Sequence, residues 1–533
     1  MRPPTHRTHE ERGMRYVEPG AFTAADDLWT RLSMNYTRLE QEKYWPQNVY
    51  QRERQAQKWP GDIEGRTLLS WVALARATGR APRYVGPMLE RWGDEVNASG
   101  YFGREYGDDI SEQQLSGHGW MLRALAELDR YDPGAGAADR ANTIVERLFL
   151  PTRGAYRAYP IDPAGREAAG EYSGTHQKRV GRWILSTDVG CFAIGMSGLV
   201  DAWERFRDDR YTALIDEMLE RFLEIDLASI RAQTHATMTG CRAILKLAEA
   251  RAEARGEACG DAALVAQAES RFRLYVDSAL TETYANYNWF GRPQWTEPCA
   301  VVDSVMVAMD LYRLTRKPEY VEFAQLAYFN ALGHGQRSNG GFGCDNCVGG
   351  DGETDLFFKT TESHWCCTMR GSEGLARVAQ YQIAEVDDGL LLPFGLPGEY
   401  RSGPTHLVVR SGYPKAAEWT FENRGSQPLS IRLFVPTWVT VSGAGSPVGA
   451  DRLLAVVVPA GGSAVVSGSL IESTRPVHSA TTTSAPSLSG YGVRTRGPLF
   501  LADYPDGAGP ICDDYLRHDM RVEGSRKAFL VPG

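Results

Sequence analysis

The hydrophobic period of the chain changes once, near residue 388, and that change limits the folds open to it. Upstream, from about Phe22 to Ala384, apolar residues recur at helical spacing. Leu68, Leu69, Val72 and Ala75 form one such stripe, and Leu115, Met121, Leu122, Leu125 and Leu128 another. Val302, Val305, Met306 and Met309 stand at i, i+3, i+4 and i+7. The spacing predicts helices near 24–42, 65–78, 84–98, 113–128, 138–149, 188–207, 209–225, 229–253, 260–280, 299–314, 317–333 and 370–384. Downstream, Leu429, Ile431, Leu433 and Val435 alternate with other residues as a half-buried strand requires. Further short alternating runs are 406–413, 418–422, 453–458 and 463–466, separated by Gly-bearing turns.

A dozen unequal helices without a fixed-length repeat disfavour a solenoid. They fit an (α/α)6 toroid, a ring of inner helices wrapped by outer ones, although an irregular bundle has the same periodicity. The β region reads as a sandwich. The expected division is an N-terminal arm over 1–20, loose or disordered, a helical barrel over 21–387 and a β-sandwich domain over 388–533. Ser473 to Ser489, rich in Ser, Thr and Pro, reads as a surface loop, and 497–502 as a last strand returning to the sandwich.

A net charge of −9 offers no electrostatic footprint for nucleic acid or an anionic membrane surface. No apolar run approaches the roughly 20 residues of a membrane helix, and residues 1–20 carry no apolar signal core. Nine scattered cysteines suit a reducing compartment, so the cytoplasm is the expected location. A homodimer is the assembly considered.

Chemistry concentrates in Glu362-Ser-His-Trp-Cys-Cys-Thr-Met-Arg370. The adjacent Cys366 and Cys367 cannot easily form a disulfide with each other, but two neighbouring thiolates can hold one soft ion such as zinc. Glu297 and Cys299, in Trp295-Thr-Glu-Pro-Cys299, would complete a four-ligand set. Two other readings compete. Three thiols can pack as small hydrophobes. Alternatively, Cys344-x-x-Cys347 with Cys366 and Cys367 would make a closed four-thiolate site in which Cys366 is inert.

Several stretches together resemble the zinc-dependent β-L-arabinofuranosidases of glycoside hydrolase families 127 and 146. They are Trp59-Pro-Gly-Asp62 with Glu64-Gly65, Gly117-His118 before Leu122-Arg-Ala-Leu125, Glu297-Pro-Cys299, Cys366-Cys367, Leu433-Phe-Val-Pro-Thr-Trp438 and Arg496-Gly-Pro-Leu499. The likeness runs in order over most of 25–505 and implies the same toroid followed by a sandwich. It differs at Thr368, where the family usually has proline, in the absence of a glycine-rich run before Glu282, and in the additional Cys344-Asp-Asn-Cys347.

The resemblance implies zinc on Glu297, Cys299, Cys366 and Cys367, with Cys366 also the nucleophile of a retaining furanosidase. A free thiol has a pKa of about 8.5, and a bound zinc ion would remove its proton. Glu282, a short way upstream of Glu297, is the candidate acid/base, or else a residue at a helix end; Glu64 and Glu362 are the fallback acids. His118, His235, Asp62, Trp59, Trp289 and Trp365 are candidate sugar contacts, each with an ordinary packing, capping or hydrogen-bonding role as the alternative. Two rival functions stay open at this point. One is a carbohydrate-binding or scaffold protein without catalysis. The other is a toroid hydrolase or lyase for another sugar, with Arg292 or Arg370 facing a sugar carboxylate.

Overall fold

The computed structural model describes residues 13–533 apart from 57–58, 167–173, 175, 257–259, 443–447 and 518–524. Six helices form the inner wall of the toroid: α1 (Asp62–Thr78), α2 (Glu112–Tyr131), α3 (Phe192–Phe206), α4 (Thr234–Ala254), α5 (Pro298–Thr315) and α6 (Cys367–Gln380). Each packs on the next, and α6 closes the ring against α1. Outer helices alternate with them along the chain. Ala137–Ile144 packs on α2, Thr212–Leu223 on α3, Ala262–Ala279 on α4 and Glu319–Leu326 on α5. Asp26–Leu39 covers the seam between α6 and α1, and Pro46–Ala56 lies against α1. Sequence periodicity did not single out Pro46–Ala56, whose composition is dominated by polar residues.

An inner helix is surrounded on all sides, so its whole circumference is buried, and the charged residues on it are paired, as Asp62 is with Arg66. In α1 every residue from Asp62 to Ala75 is buried. Close approach is achieved with glycine. A Cβ on Gly198 of α3 would collide with the backbone of Gly119 on α2, and one on Gly119 with the carbonyl of Ile194.

The β region begins with two sheets facing each other. The five-stranded sheet runs Arg15–Tyr16, Ala384–Val386, Gly389–Leu392, Leu429–Phe434, Leu453–Val458. The six-stranded sheet runs Val439–Ser442, Ser463–Leu470, Glu418–Asn423, Thr405–Ser411, Gly398–Ser402, Phe22–Ala24. Ile431 and Leu433 point inward and Ser430 outward, as the alternation requires. Two segments depart from the sequence reading. Met14, Tyr16 and Val17 are buried, and Arg15 pairs with Glu385, so the stretch from 13 to 20 is tied down; residues 1–12 lie outside the described ones.

The second departure is larger. Residues after 470 do not return to the sandwich. Glu472–Pro476, Tyr491–Arg496, Leu499–Tyr504 and Arg526–Ala528 form a third sheet, whose far edge is Asp355–Phe357 from the α5–α6 connection. This unit has its own apolar core of Val348, Leu356, Phe358, Val493, Phe500, Ile511 and Phe529. Lys527 and Asp514 form a buried ion pair, and Lys527 Nζ also lies 2.9 Å from His334 Nε2. His334 Nδ1 in turn meets Asp345 at 2.9 Å. The stretch read as a Ser/Thr-rich surface loop is a strand, a short helix (Ser479–Ser484) and a 3-10 turn against the barrel.

The glycine contact between α2 and α3 gives a test of the ring. Gly198→Ala should cost about 1–3 kcal/mol through overpacking, read as a lowered thermal midpoint. An unchanged midpoint would show that the two helices do not cross this closely.

Candidate metal centre and active site

Two inner helices start at the same place. Glu297 is the N-cap of α5, Pro298 occupies its first turn without needing an N–H partner, and Cys299 follows. Cys366, with φ −151° and ψ −57°, is the N-cap of α6, and Cys367 is its first residue. Both pairs therefore stand where free backbone N–H groups and the helix dipole favour negative charge. Their ligating atoms, one carboxylate oxygen and three sulfurs, all lie within 4.8 Å of one another and all four residues are buried. Cys366 Sγ is 3.3 Å from Cys367 Sγ and 3.7 Å from Glu297 Oε1.

Four acidic groups in a dry space cannot all ionise unaided. Burial pushes the Glu297 carboxyl well above the usual range, and the neighbouring Cys299, Cys344 and Asp188 push it further. Burial also raises the Cys299 thiol, but hydrogen bonds from Cys366 and Cys367 and the charges of His235 and Arg66 more than reverse this. Cys366, hydrogen-bonded to Cys299, and Cys367, chiefly through burial, are held well above the ordinary thiol range. A divalent soft cation would relieve this conflict, and the donor set, three sulfurs and one oxygen, suits zinc.

Arg66 and His235 flank the cluster. Arg66 Nη1 lies 3.6 Å from Cys299 Sγ, and its Nε donates to Asp62 Oδ1 at 2.6 Å. Asp62 thus positions a cation beside a thiolate. His235 Nδ1 is 3.9 Å from Glu297 Oε1, Nε2 is 3.2 Å from Asp303 Oδ2, and the ring stacks on Trp120 with centroids 5.6 Å apart. Asp303 also receives Thr239, Arg242 and Arg370. Those arginines hold its carboxyl well below the usual range in spite of burial. Sequence reasoning missed Arg66 and Asp303. The available signals were an Asp–Arg pair at i, i+4 and a lone Asp in the apolar stripe of α5.

The remaining candidates separate. His118 is not available to a sugar: its Nδ1 meets the Gln114 carbonyl at 2.8 Å and its Nε2 accepts the Phe102 N–H at 3.0 Å. It fixes a loop to α2, and burial lowers its pKa to about 4. Trp289 is fully buried, edge-on to Trp295 at 5.0 Å, and Trp59 packs over Gly174. Trp365, beside Cys366, is 46% exposed and is the one tryptophan among the candidates that stands largely in solvent. Glu362, a fallback acid, is spent on Arg38, Tyr44 and Thr368. Arg370 is spent on Asp303 and Glu373, and Arg292 lies over the Trp289 ring.

Glu282 is buried, and its described carboxylate partners come from the third-sheet unit. Oε1 accepts from His478 N at 2.8 Å and from Thr481 Oγ1 at 2.7 Å, and Arg475 lies 3.5 Å from Oε2. Burial raises its pKa. The rival four-thiolate set is only half assembled. Cys344 Sγ lies 3.9 Å from Cys367 Sγ, whereas Cys347 Sγ turns to the Asn286 carbonyl at 3.9 Å.

No family model matches the chain, and no curated protein matches it in sequence. Solved structures share its backbone. A GH127 β-L-arabinofuranosidase from Geobacillus stearothermophilus T6 superposes with a TM-score of 0.64 at 13% identity, covering 90% of this chain and 86% of that one. A second GH127 β-arabinofuranosidase gives 0.66 at 14% identity, covering 94% and 87%. A structure described only as a glycoside hydrolase gives 0.62 at 13%, covering 92% and 84%. These likenesses establish the fold, an (α/α)6 toroid followed by β-sheets.

The geometry predicts about one zinc per chain by elemental analysis. Cys299→Ser should lose it, and Cys347→Ser should keep it. Loss of metal in Cys347→Ser with retention in Cys299→Ser would assign the ion to the four-thiolate set instead.

Proposed function

We propose that the chain is a retaining glycoside hydrolase acting on a furanoside, a β-L-arabinofuranoside before others, with Cys366 as nucleophile and Glu282 as acid/base. One observation carries the reading: a buried cluster of one glutamate and three cysteines stands on the N-termini of two inner helices of a toroid. The shared fold with GH127 arabinofuranosidases supports it.

Glu297, Cys299, Cys366 and Cys367 would hold zinc, which supplies deprotonation and fixed orientation of the thiols. Cys366 is the reachable sulfur, 8% exposed where Cys299 and Cys367 are 0%. In the first step the Cys366 sulfur forms a bond to the anomeric carbon as the glycosidic C–O bond breaks. The electron pair passes to the leaving oxygen, which takes a proton from Glu282. Water then gives its proton to the same carboxylate and displaces the sulfur, so two inversions give net retention. Burial raises the pKa of Glu282 against the hydrogen bonds from Thr481 and His478 and the charge of Arg475, and a raised pKa is the direction a general acid requires. Its Oε2 has no hydrogen-bond partner among the described residues, while Oε1 is anchored.

His235 and Arg66 serve this chemistry by position. His235 stands between Glu297 and Asp303, and Arg66 adds its charge to the hydrogen bonds from Cys366 and Cys367 that hold the Cys299 thiol low. The uronic-sugar rival loses one of its two candidate arginines, because Arg370 is paired with two carboxylates, while Arg292 lies over the Trp289 ring. No described helix is long and apolar enough to cross a membrane. The eight described cysteines are all free and buried, which supports the proposal of a reducing, cytoplasmic setting.

Leaving-group dependence tests the division of labour. Cys366→Ser should abolish turnover of every arabinofuranoside. Glu282→Gln should slow an alkyl glycoside by about 10²–10⁴-fold and an activated aryl glycoside far less. Asp188, whose charge reaches Glu297, is the comparison. If Asp188→Asn shows the leaving-group pattern and Glu282→Gln does not, Glu282 is a structural anchor. Binding of sugar without turnover of either substrate would identify a binding protein on this fold.

A further inference from the structure

Three segments that lead into α3, α4 and α5 are laced together beside the cluster. The N–H of Phe290 donates to the Ala232 carbonyl at 3.1 Å, and that of Thr234 to the Asn288 carbonyl at 3.0 Å. The N–H of Gln233 donates to the Val189 carbonyl at 3.0 Å, and Gln233 and Trp289 face each other across a β-bridge. Asn286 secures the arrangement. Its Nδ2 donates to Thr234 Oγ1 at 2.9 Å and to the Tyr287 carbonyl at 3.0 Å, and its Oδ1 accepts the Glu297 N–H at 3.3 Å.

Asn288, two residues on, is the opposite case. It is fully buried, yet neither Oδ1 nor Nδ2 has a hydrogen-bond partner among the described residues. Gln233 is 4% exposed with an unpartnered Oε1, and Trp289 Nε1 and Glu297 Oε2 are in the same state. Such atoms are rare in native proteins, because a buried amide that loses water without gaining a partner is destabilising. Others are scattered over the described residues, but Asn288 is the one amide among them with both polar atoms in this state, and Gln233, Trp289 and Glu297 stand on the stretches beside it.

We infer that Gln233 and Asn288 form a hydroxyl-reading subsite for a neutral sugar, next to the carboxylate and thiols of the cluster. The inference rests on the saccharide reading above and adds which residues select the ligand. An amide offers both a donor and an acceptor, as a hydroxyl does, so a polyol can satisfy Nδ2 and Oδ1 together. A sugar carboxylate could satisfy only the donors. It would also set its charge against two amide oxygens and Glu297, and the nearby Arg370 is already paired.

The test uses zinc-loaded full-length protein, with L-arabinose and galacturonate as probes in titration calorimetry. Wild type should bind the neutral sugar in preference. Asn288→Leu and Gln233→Leu should each weaken that binding by about 10–100-fold, the range for losing hydrogen bonds to a buried group. Zinc content should stay the same. The sugar-free thermal midpoint should hold or rise, since each change removes a buried polar atom that has no hydrogen-bond partner among the described residues. A purely structural asparagine would behave in the opposite way, with a lowered midpoint and unchanged affinity. If Asn288→Leu does not fold, Gln233→Leu carries the comparison alone. Wild type that binds zinc but no neutral sugar would overturn the saccharide reading itself. Wild type that binds sugar, with variants that bind it equally, would overturn only the subsite. Tighter binding of galacturonate than of arabinose would overturn the selection for a neutral ligand.

Discussion

The site depends on two inner helices beginning at one point. Each N-terminus carries a partial positive charge, and together they favour anionic sulfur and oxygen at a place where burial by itself favours the neutral forms of Glu297 and Cys367. Glu-Pro-Cys and Cys-Cys put a ligand at the N-cap of each helix and another within its first turn. The toroid supplies the convergence, because α5 and α6 are ring neighbours. A bundle without that ring would hold the same residues with no reason for their ends to meet.

Below the cluster lies a buried ionic column. Asp303, Arg370, Glu373, Arg123, Asp201 and Lys246 pair in succession across α5, α6, α2, α3 and α4. Arg66, Arg123 and Arg370 all lie over the Trp120 ring. Buried pairs of this kind add little net stability, but removing one partner strands the other, so their geometry is strongly specified. The column therefore fixes the rotation of five inner helices about their axes, and with it the direction of His235.

Much of this was legible in the sequence because it is local. The period change at 388 separates barrel from sheet, and the helices predicted from apolar spacing overlap those observed. The four candidate ligand residues sit at sequence spacings that only the ring brings together, yet their chemical type made them stand out. What the sequence concealed is what depends on long-range partners. His118 stands in a motif but is consumed by two backbone groups. Cys347 shares a C-x-x-C with Cys344 and turns the other way. Neither Asn286 nor Asn288 carries a pattern that says which of them is satisfied. The Ser/Thr-rich stretch near 480 has the composition of a loop, and only its long-range contacts tie it to Glu282, the proposed acid/base.

The third sheet ties distant parts of the chain into one order of assembly. Its edge strand, Asp355–Phe357, comes from the connection that delivers Cys366, and the strand beside it is Arg526–Ala528. Lys527 and Asp514 reach the His334–Asp345 pair, next to Cys344. During synthesis the six inner helices would leave the ribosome well before these partners do. The cluster's connecting loop and Glu282 would then wait, with polar groups unpaired, until the last strands arrive. On the proposed reading, competence would be coupled to completion of the chain: a polypeptide halted after the sandwich would carry Glu297, Cys299, Cys366 and Cys367 and lack the frame around them.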